Sequence, residues 1–428
     1  MMPVANHWHF HPDRAALLAE AHARPYTPLV SPMVATRLAT LSGEDGLAAD
    51  REHMAALCRE VGHAEPGADS RWCALDAGNW SLRWERHTEF STWTFFRSSN
   101  RSHPFLEDAH DRAPRAWLEA LPGELLVATT LDLRTGESAA SVSALLGGDA
   151  IGAHLLDGAA SVFTDLRPDA AGMTRYFLLD NGDDPARAGR LALGLLEVET
   201  YRLMALLAFP VARSAGRELA RIEVAASELA AQLAHDTGVD DDRRLLAKLV
   251  VLAGEAEALN VRTSFRFGAG TAYHDIVRDR VAALRETPIA GLQTLGAFME
   301  RRLAPAMRTC DTVAARERDA IDRIARTGQM LATRVGVAAE TTNAGLLASM
   351  DRRAQIQLRL QRLVEGLSVA AISYYLLSLA AYAFKGVEHA RPGFDATLAT
   401  GVLAPLLVLT VWLAMRRLRD RLEAELRD

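Results

Sequence analysis

Lysine is almost missing from this sequence: of 48 basic residues only Lys248 and Lys385 are lysine, and the rest are arginine. With Ala and Leu so abundant, this reads as coding bias and carries no functional meaning. The formal net charge is -6, and the arginines are interleaved with acids rather than gathered into a basic face, which argues against nucleic acid as a partner. Cysteine is equally scarce. Cys58, Cys73 and Cys310 are too few and too scattered for a disulfide framework or a four-cysteine zinc site, and they fit a reducing compartment. The opening MMPVANHWHFHPDR has no basic start followed by an apolar run, so no secretory signal is expected and the N-terminal mass is expected in the cytoplasm. Also missing are a GxxxxGK phosphate loop, a GxGxxG after a strand, a GxSxG elbow and an HExxH pair. Their absence disfavours a nucleotide-driven pump or a common hydrolase. No enzyme activity is expected, and no cofactor is indicated.

What the chain does have is apolar content, 49% of 428 residues, concentrated at one end. Residues 367–384 read LSVAAISYYLLSLAAYAF and residues 398–415 read LATGVLAPLLVLTVWLAM. Each is uncharged and close to the ~20 residues a transmembrane helix needs. Arg352, Arg353, Arg359 and Arg362 precede the first stretch, and Arg416, Arg417, Arg419 and Arg421 follow the second. The connecting loop carries Lys385 and Arg391 against Glu388 and Asp395. The positive-inside rule then predicts a two-span hairpin in a bacterial inner membrane, lipid-bound, with both termini cytoplasmic. Tyr382 and Phe384 fall at the expected outer interface and Trp412 near the inner one. Ser368, Tyr375 and Tyr382 recur every seven residues, with Ser378 on an intermediate turn, so one face of the first span is polar. It serves either for hydrogen bonding between helices or as the lining of a pore in an oligomer. Pro405 predicts a kink in the second span.

Residues 1–210 mix strand and helix patterns, with β-rich stretches at 80–96, 124–133 and 175–180, and predict an α+β or α/β domain. Residues 211–366 have the composition of long helices, with breaks expected at Gly238, Asp240–Asp242, the FRFGAG segment near Gly268, and Pro288. Leu346, Ile356, Leu360, Leu363 and Leu367 form a seam on the last of them, a helical stalk suited to packing on copies of itself. A tail occupies 416–428.

Candidate sites are few. His7, His9, His11, Glu20 and His22 supply imidazoles and carboxylates for a divalent metal, though a terminal run of this kind is more often simply packed or loose. In WERHTEF, strand alternation puts Glu85, His87 and Glu89 on one face and Arg86, Thr88 and Phe90 on the other, and a solvated sheet face is the expected reading over a ligand set. DNGDDPARAGR lacks the closing glutamate of a calcium loop and reads instead as an Asn-Gly turn, an Asp184 N-cap and Pro185 at the first helical position.

HPDRAALLAEAHARP at 11–25, WERHTEFSTWTFF at 84–96 and VEGLSVAAISYYLLSLAAYAFKG at 364–386 together resemble domain-of-unknown-function family 3422, an uncharacterised bacterial family of predicted membrane-anchored proteins. The resemblance spans nearly the whole chain. It implies membrane anchoring, and places His22, Arg24, Pro25, Glu85, Arg86, His87 and Glu89 in motifs of unknown role. The order of parts is also similar to the plan of the CorA magnesium channels, without their Gly-Met-Asn: here the outer end of the first span reads Ala383-Phe384-Lys385-Gly386. That likeness implies a homo-oligomer moving or sensing an ion. Ser368, Tyr375, Ser378 and Tyr382 would line the pathway, and Lys385, offset by Glu388 and Asp395, would stand at the mouth. The competing expectation is a membrane-anchored binding or scaffold protein that transports nothing.

Overall fold

A computed structural model of the chain describes residues 8–15, 17, 18, 26–99, 104, 105, 107–136, 142, 145, 146, 150–182, 184–235, 238–390, 393 and 395–425. Two compact units emerge, Met1–Asp236 with Leu245–Gly328, and Thr237–Arg244 with Gln329–Asp428.

The first unit is built on a mixed sheet. Its strands are β1 (Met33–Leu41), β2 (Trp72–Asp76), β3 (Ser81–Arg86), β4 (Phe90–Ser98), β5 (Glu124–Arg134), β6 (Ile151–Leu155), β7 (Ala160–Pro168), β8 (Thr174–Asp180) and β9 (Thr287–Pro288). They lie in the order β2-β3-β4-β1-β5-β8-β7-β6-β9. Neighbours are antiparallel except β5 and β8, which run parallel. The three β-rich stretches read from the sequence are β3 with β4, β5, and β8. Strand β9 joins the sheet from between long helices, pairing with Ala153 and His154 of β6.

Both faces of the sheet are covered. On one, α1 (Leu47–Val61) and α2 (Arg115–Glu119) bury Met54, Leu57 and Trp117 against Leu82, Trp84, Trp93 and Phe95. Trp84 and Trp93 are 0% exposed, and each such side chain contributes roughly 1.5–3 kcal/mol of apolar burial. On the other, α3 (Pro185–Leu206) packs Leu191, Leu195 and Val198 over Leu131, Tyr176 and Leu178. Helix α3 starts as expected: the Asp184 carboxylate accepts from the amides of Ala186 (3.0 Å) and Arg187 (3.1 Å), with Pro185 at the first turn. Then come α4 (Ala208–His235) and α5 (Val239–Ala283). The break expected at FRFGAG does not occur, because α5 runs through it. Gly270 is there for packing: a Cβ would stand 2.8 Å from that of Ala208.

The second unit holds the later part of α6 (Leu295–Ala390) and α7 (Ala396–Glu425). Both are long and apolar enough to cross a membrane, and their most apolar 18-residue windows are only 6% and 0% buried. Helix α6 continues past Phe384 to Ala390, so Lys385 and Glu388, expected in a loop, are helical and exposed. The reason is local: nothing between Phe384 and Ala390 forbids helix, and Pro392 is the first residue that does. Asp395 caps α7, accepting from the amides of Thr397 (2.9 Å) and Leu398 (3.1 Å).

Candidate ligand-binding cavity

The WERHTEF segment spans the end of β3, a tight turn and the start of β4, closed by the His87 amide donating to the Phe90 carbonyl at 2.8 Å. The turn breaks strand alternation. Glu85 and His87 lie toward α3, Arg86 toward α1, and Phe90 falls on the His87 side, stacked on its ring at 4.2 Å between centroids. The solvated face expected from the sequence is not there either: Glu85 is 8% exposed and Glu89 4%. Helices α3 and α5 cover it.

Each charge of the segment has a different use. Arg86 is enclosed. It donates to Asp50 (3.2 Å), Ser42 (2.6 Å) and the carbonyls of Gly43, Glu44 and Thr88, while Ser91 also donates to Asp50 (2.6 Å). Burial pulls the Arg86 guanidinium below its ordinary pKa, and Asp50 opposes this. This set braces the chain between β1 and α1. Glu89 takes a two-pronged bond from Arg266 of α5 (2.9 and 2.6 Å) and one from the Tyr273 hydroxyl (3.0 Å), tying the hairpin turn to that helix.

Glu85 and His87 instead border a cavity of about 250 Å³, lined also by Tyr26, Arg37, Arg83, Thr92, Leu193, Glu197, Thr200, Tyr201 and Arg280. Three neighbouring strands supply its floor. Arg37 of β1, Arg83 and Glu85 of β3, and Thr92 and Thr94 of β4 share a face through the pairings Arg37 with Thr94 and Glu85 with Thr92. Arg83 donates to Glu85 at 2.9 Å, Arg37 approaches it at 3.9 Å, and the Arg37 Nε donates to Thr94 at 2.9 Å. Burial alone would raise the Glu85 carboxyl, but Arg37 and Arg83 outweigh it and hold the group below the usual carboxylate range. From α3 come Glu197, paired with Arg280 of α5, and Tyr201 one turn on. Burial, with Glu197 and Glu85 nearby, pushes the Tyr201 hydroxyl up to about 12, so it stays a donor at neutral pH.

Tyr26 reaches this cavity because the segment before β1 lies directly on α3. A Cβ at Gly189 would stand 2.0 Å from the Thr27 carbonyl oxygen. The Thr92 Oγ1, buried in a residue 1% exposed, has no hydrogen-bond partner. Three guanidinium groups against two carboxylates give a positive excess, and Thr92, whose buried hydroxyl is unsatisfied, lines the same space. The arrangement suits a small anion.

A family model described as protein of unknown function (DUF3422) matches residues 9–422. The chain belongs to that family. No curated protein and no solved structure matches it. The likeness in plan to the CorA channels therefore has no support among these comparisons. Within the DUF3422 chain, two of the resemblance residues, Glu85 and His87, meet at the cavity, Arg86 and Glu89 are braces, and His22, Arg24 and Pro25 lie outside the described residues. The sequence reading missed Arg37, Arg83, Thr92, Glu197, Tyr201 and Arg280. A usable signal was present: an arginine inside the apolar run MVATRLATL, and Arg83 two residues before Glu85 on one strand face.

The other candidates separate clearly. His9 and His11 are exposed, with His11 Nδ1 accepting from the Asp13 amide, and His7, Glu20 and His22 lie outside the described residues. Among the described residues, Asp108, His110 and Asp111 bring ligand atoms within 4.8 Å of one another, but Asp108 and Asp111 are engaged in a capping box. Cys58, Cys73 and Cys310 are free and buried, and burial raises all three thiols, Cys73 to about 12, so they are poor nucleophiles. In the first apolar stretch, Tyr375 and Tyr382 are 68% and 74% exposed, Ser378 is half-buried, and Ser368 is half-buried and bonds back to the Val364 carbonyl.

Proposed function

We propose that the protein is anchored in the bacterial inner membrane by α6 and α7, with both termini cytoplasmic, and that its sheet domain binds a small anion in the cavity over β1, β3 and β4. The observation that carries the binding reading is the Arg37, Arg83 and Glu85 set, buried on a sheet face yet bordering open space beside the unsatisfied Thr92 hydroxyl. Charges this deep are expensive to hold, and a purely structural set would be closed over as Arg86 is. At about 250 Å³ the space lies just under the ~300–1,000 Å³ common for drug-sized ligands, so the occupant is a small carboxylate or phosphate compound. Anchoring is supported by the apolar, uncovered windows of α6 and α7, and the orientation by the arginines flanking them.

The test is thermal stabilisation of the full chain in nanodiscs by a panel of small carboxylates and phosphates, repeated with Thr92→Val. A stabilising anion is expected, with affinity reduced about tenfold by loss of one good hydrogen bond. If no anion stabilises the wild type, the binding reading is wrong.

A second reading, ion passage or sensing by a ring of copies, is favoured by one observation. Ile356, Leu360, Leu363 and Leu367 form a seam 53–74% exposed that nothing among the described residues covers, continuous with the exposed Tyr375 and Tyr382. Self-association would cover it. Native mass measurement in nanodiscs decides: a ring of several copies keeps the passage reading, whereas a monomer or dimer ends it.

A further inference from the structure

Where the apolar stretches of α6 and α7 give way to arginine, the two helices frame a groove of about 410 Å³. Arg362, Glu365, Gly366 and Val369 line it from α6, and Trp412, Met415 and Arg416 from α7. The floor is low at Gly366, where an added Cβ would meet nothing within 4 Å. The Arg416 guanidinium lies over the Trp412 ring, 5.4 Å from its centroid, which fixes the direction of its N–H groups. Unlike Arg37, Arg83 and Arg86, neither Arg362 nor Arg416 has an ion pair among the described residues. Their donors are held on two sides of one groove, which Glu365 also lines.

We infer that this groove binds the phosphodiester of an anionic membrane phospholipid, an inference resting on the membrane placement proposed above. Two guanidinium groups match the oxygens of one phosphate. Trp412 is the ring type that settles at headgroup depth, and Val369 and Met415 continue the groove toward the apolar stretch, where acyl chains would lie. Glu365 leaves the site with one excess positive charge, the complement of a monoanionic phosphodiester, and its carboxylate accepts from headgroup hydroxyls. The class is therefore an anionic glycerophospholipid with a hydroxylated headgroup, such as phosphatidylglycerol.

The experiment has two arms. An alkaline carbonate wash of membranes comes first: release of the full chain would overturn the anchoring itself. With the chain retained, nanodiscs of equal phosphatidylglycerol and phosphatidylcholine are opened in mild detergent, and lipids that stay bound are counted by native mass spectrometry. Phosphatidylglycerol is expected to be enriched. At about fivefold per basic side chain, Arg362→Gln with Arg416→Gln lowers that preference about thirtyfold. Arg417→Gln, a neighbouring arginine outside the groove, leaves it unchanged. An equal loss in Arg417→Gln would show only diffuse surface charge, and displacement of the lipid by millimolar inorganic phosphate would show a soluble-phosphate site. Either result, or no enrichment at all, overturns the proposal.

Discussion

Glu85 and Arg86 are consecutive residues, both buried, both ion-paired, and they face opposite sides of one strand. On the Arg86 side, Asp50, two serine hydroxyls and three backbone carbonyls fill the space around the guanidinium. On the Glu85 side, a comparable investment of charge opens onto a cavity. The difference teaches what separates a brace from a binding site: enclosure. The Arg86 guanidinium directs its donors to protein acceptors packed around it, although Asp50 Oδ1 has no partner, whereas Arg37, Arg83 and Glu85 border open space.

That contrast is breakable by substitution. The largest effect belongs to the closed side: Arg86→Leu strands the Asp50 carboxylate and is expected to cost ~3–5 kcal/mol, read from the chemical denaturation midpoint. Next comes Gly189→Ala. Its methyl group collides with the Thr27 carbonyl, which predicts a loss of about 1–3 kcal/mol and weaker anion binding, because Tyr26 is displaced with the segment. A milder result is expected for Glu85→Gln, seen as a change in pH dependence. Glu85 is held below its ordinary pKa, so its contribution is present above the unfolded carboxylate value of ~4.3 and is lost as the pH falls through the lower folded value. Wild type should lose more stability than the variant over that acidic window, and parallel curves would show that the ion set contributes nothing. The smallest effect is that of Thr92→Val on the empty protein, within ~0.5 kcal/mol, since the hydroxyl lost has no partner there. A large destabilisation would reassign Thr92 to the brace class.

Much of the architecture was legible in the sequence because it depends on local pattern. The two apolar stretches, the Asp184 cap and strands β5 and β8 follow from periodicity and turn chemistry alone. The cavity was not legible, because its lining comes from β1, β3, β4, α3 and α5, brought together by sheet order and not by spacing. WERHTEF stands out as a strand pattern, but the three residues between β3 and β4 reset the alternation, so Glu89 leaves the face that Glu85 and His87 occupy. The expected break near Gly268 failed for a related reason, since a glycine marks close packing as readily as it marks a bend.

Strand β9 sets an order of events during synthesis. It shields the edge of β6, yet its residues are made more than 130 positions after that strand, so the sheet's last edge stays open while α3, α4 and α5 are still emerging. The first unit closes only once Gly328 has been made, leaving about 40 residues before the apolar stretch at Leu367. At ~5–20 residues per second, that interval gives the sheet a few seconds to complete itself before the hairpin leaves the ribosome.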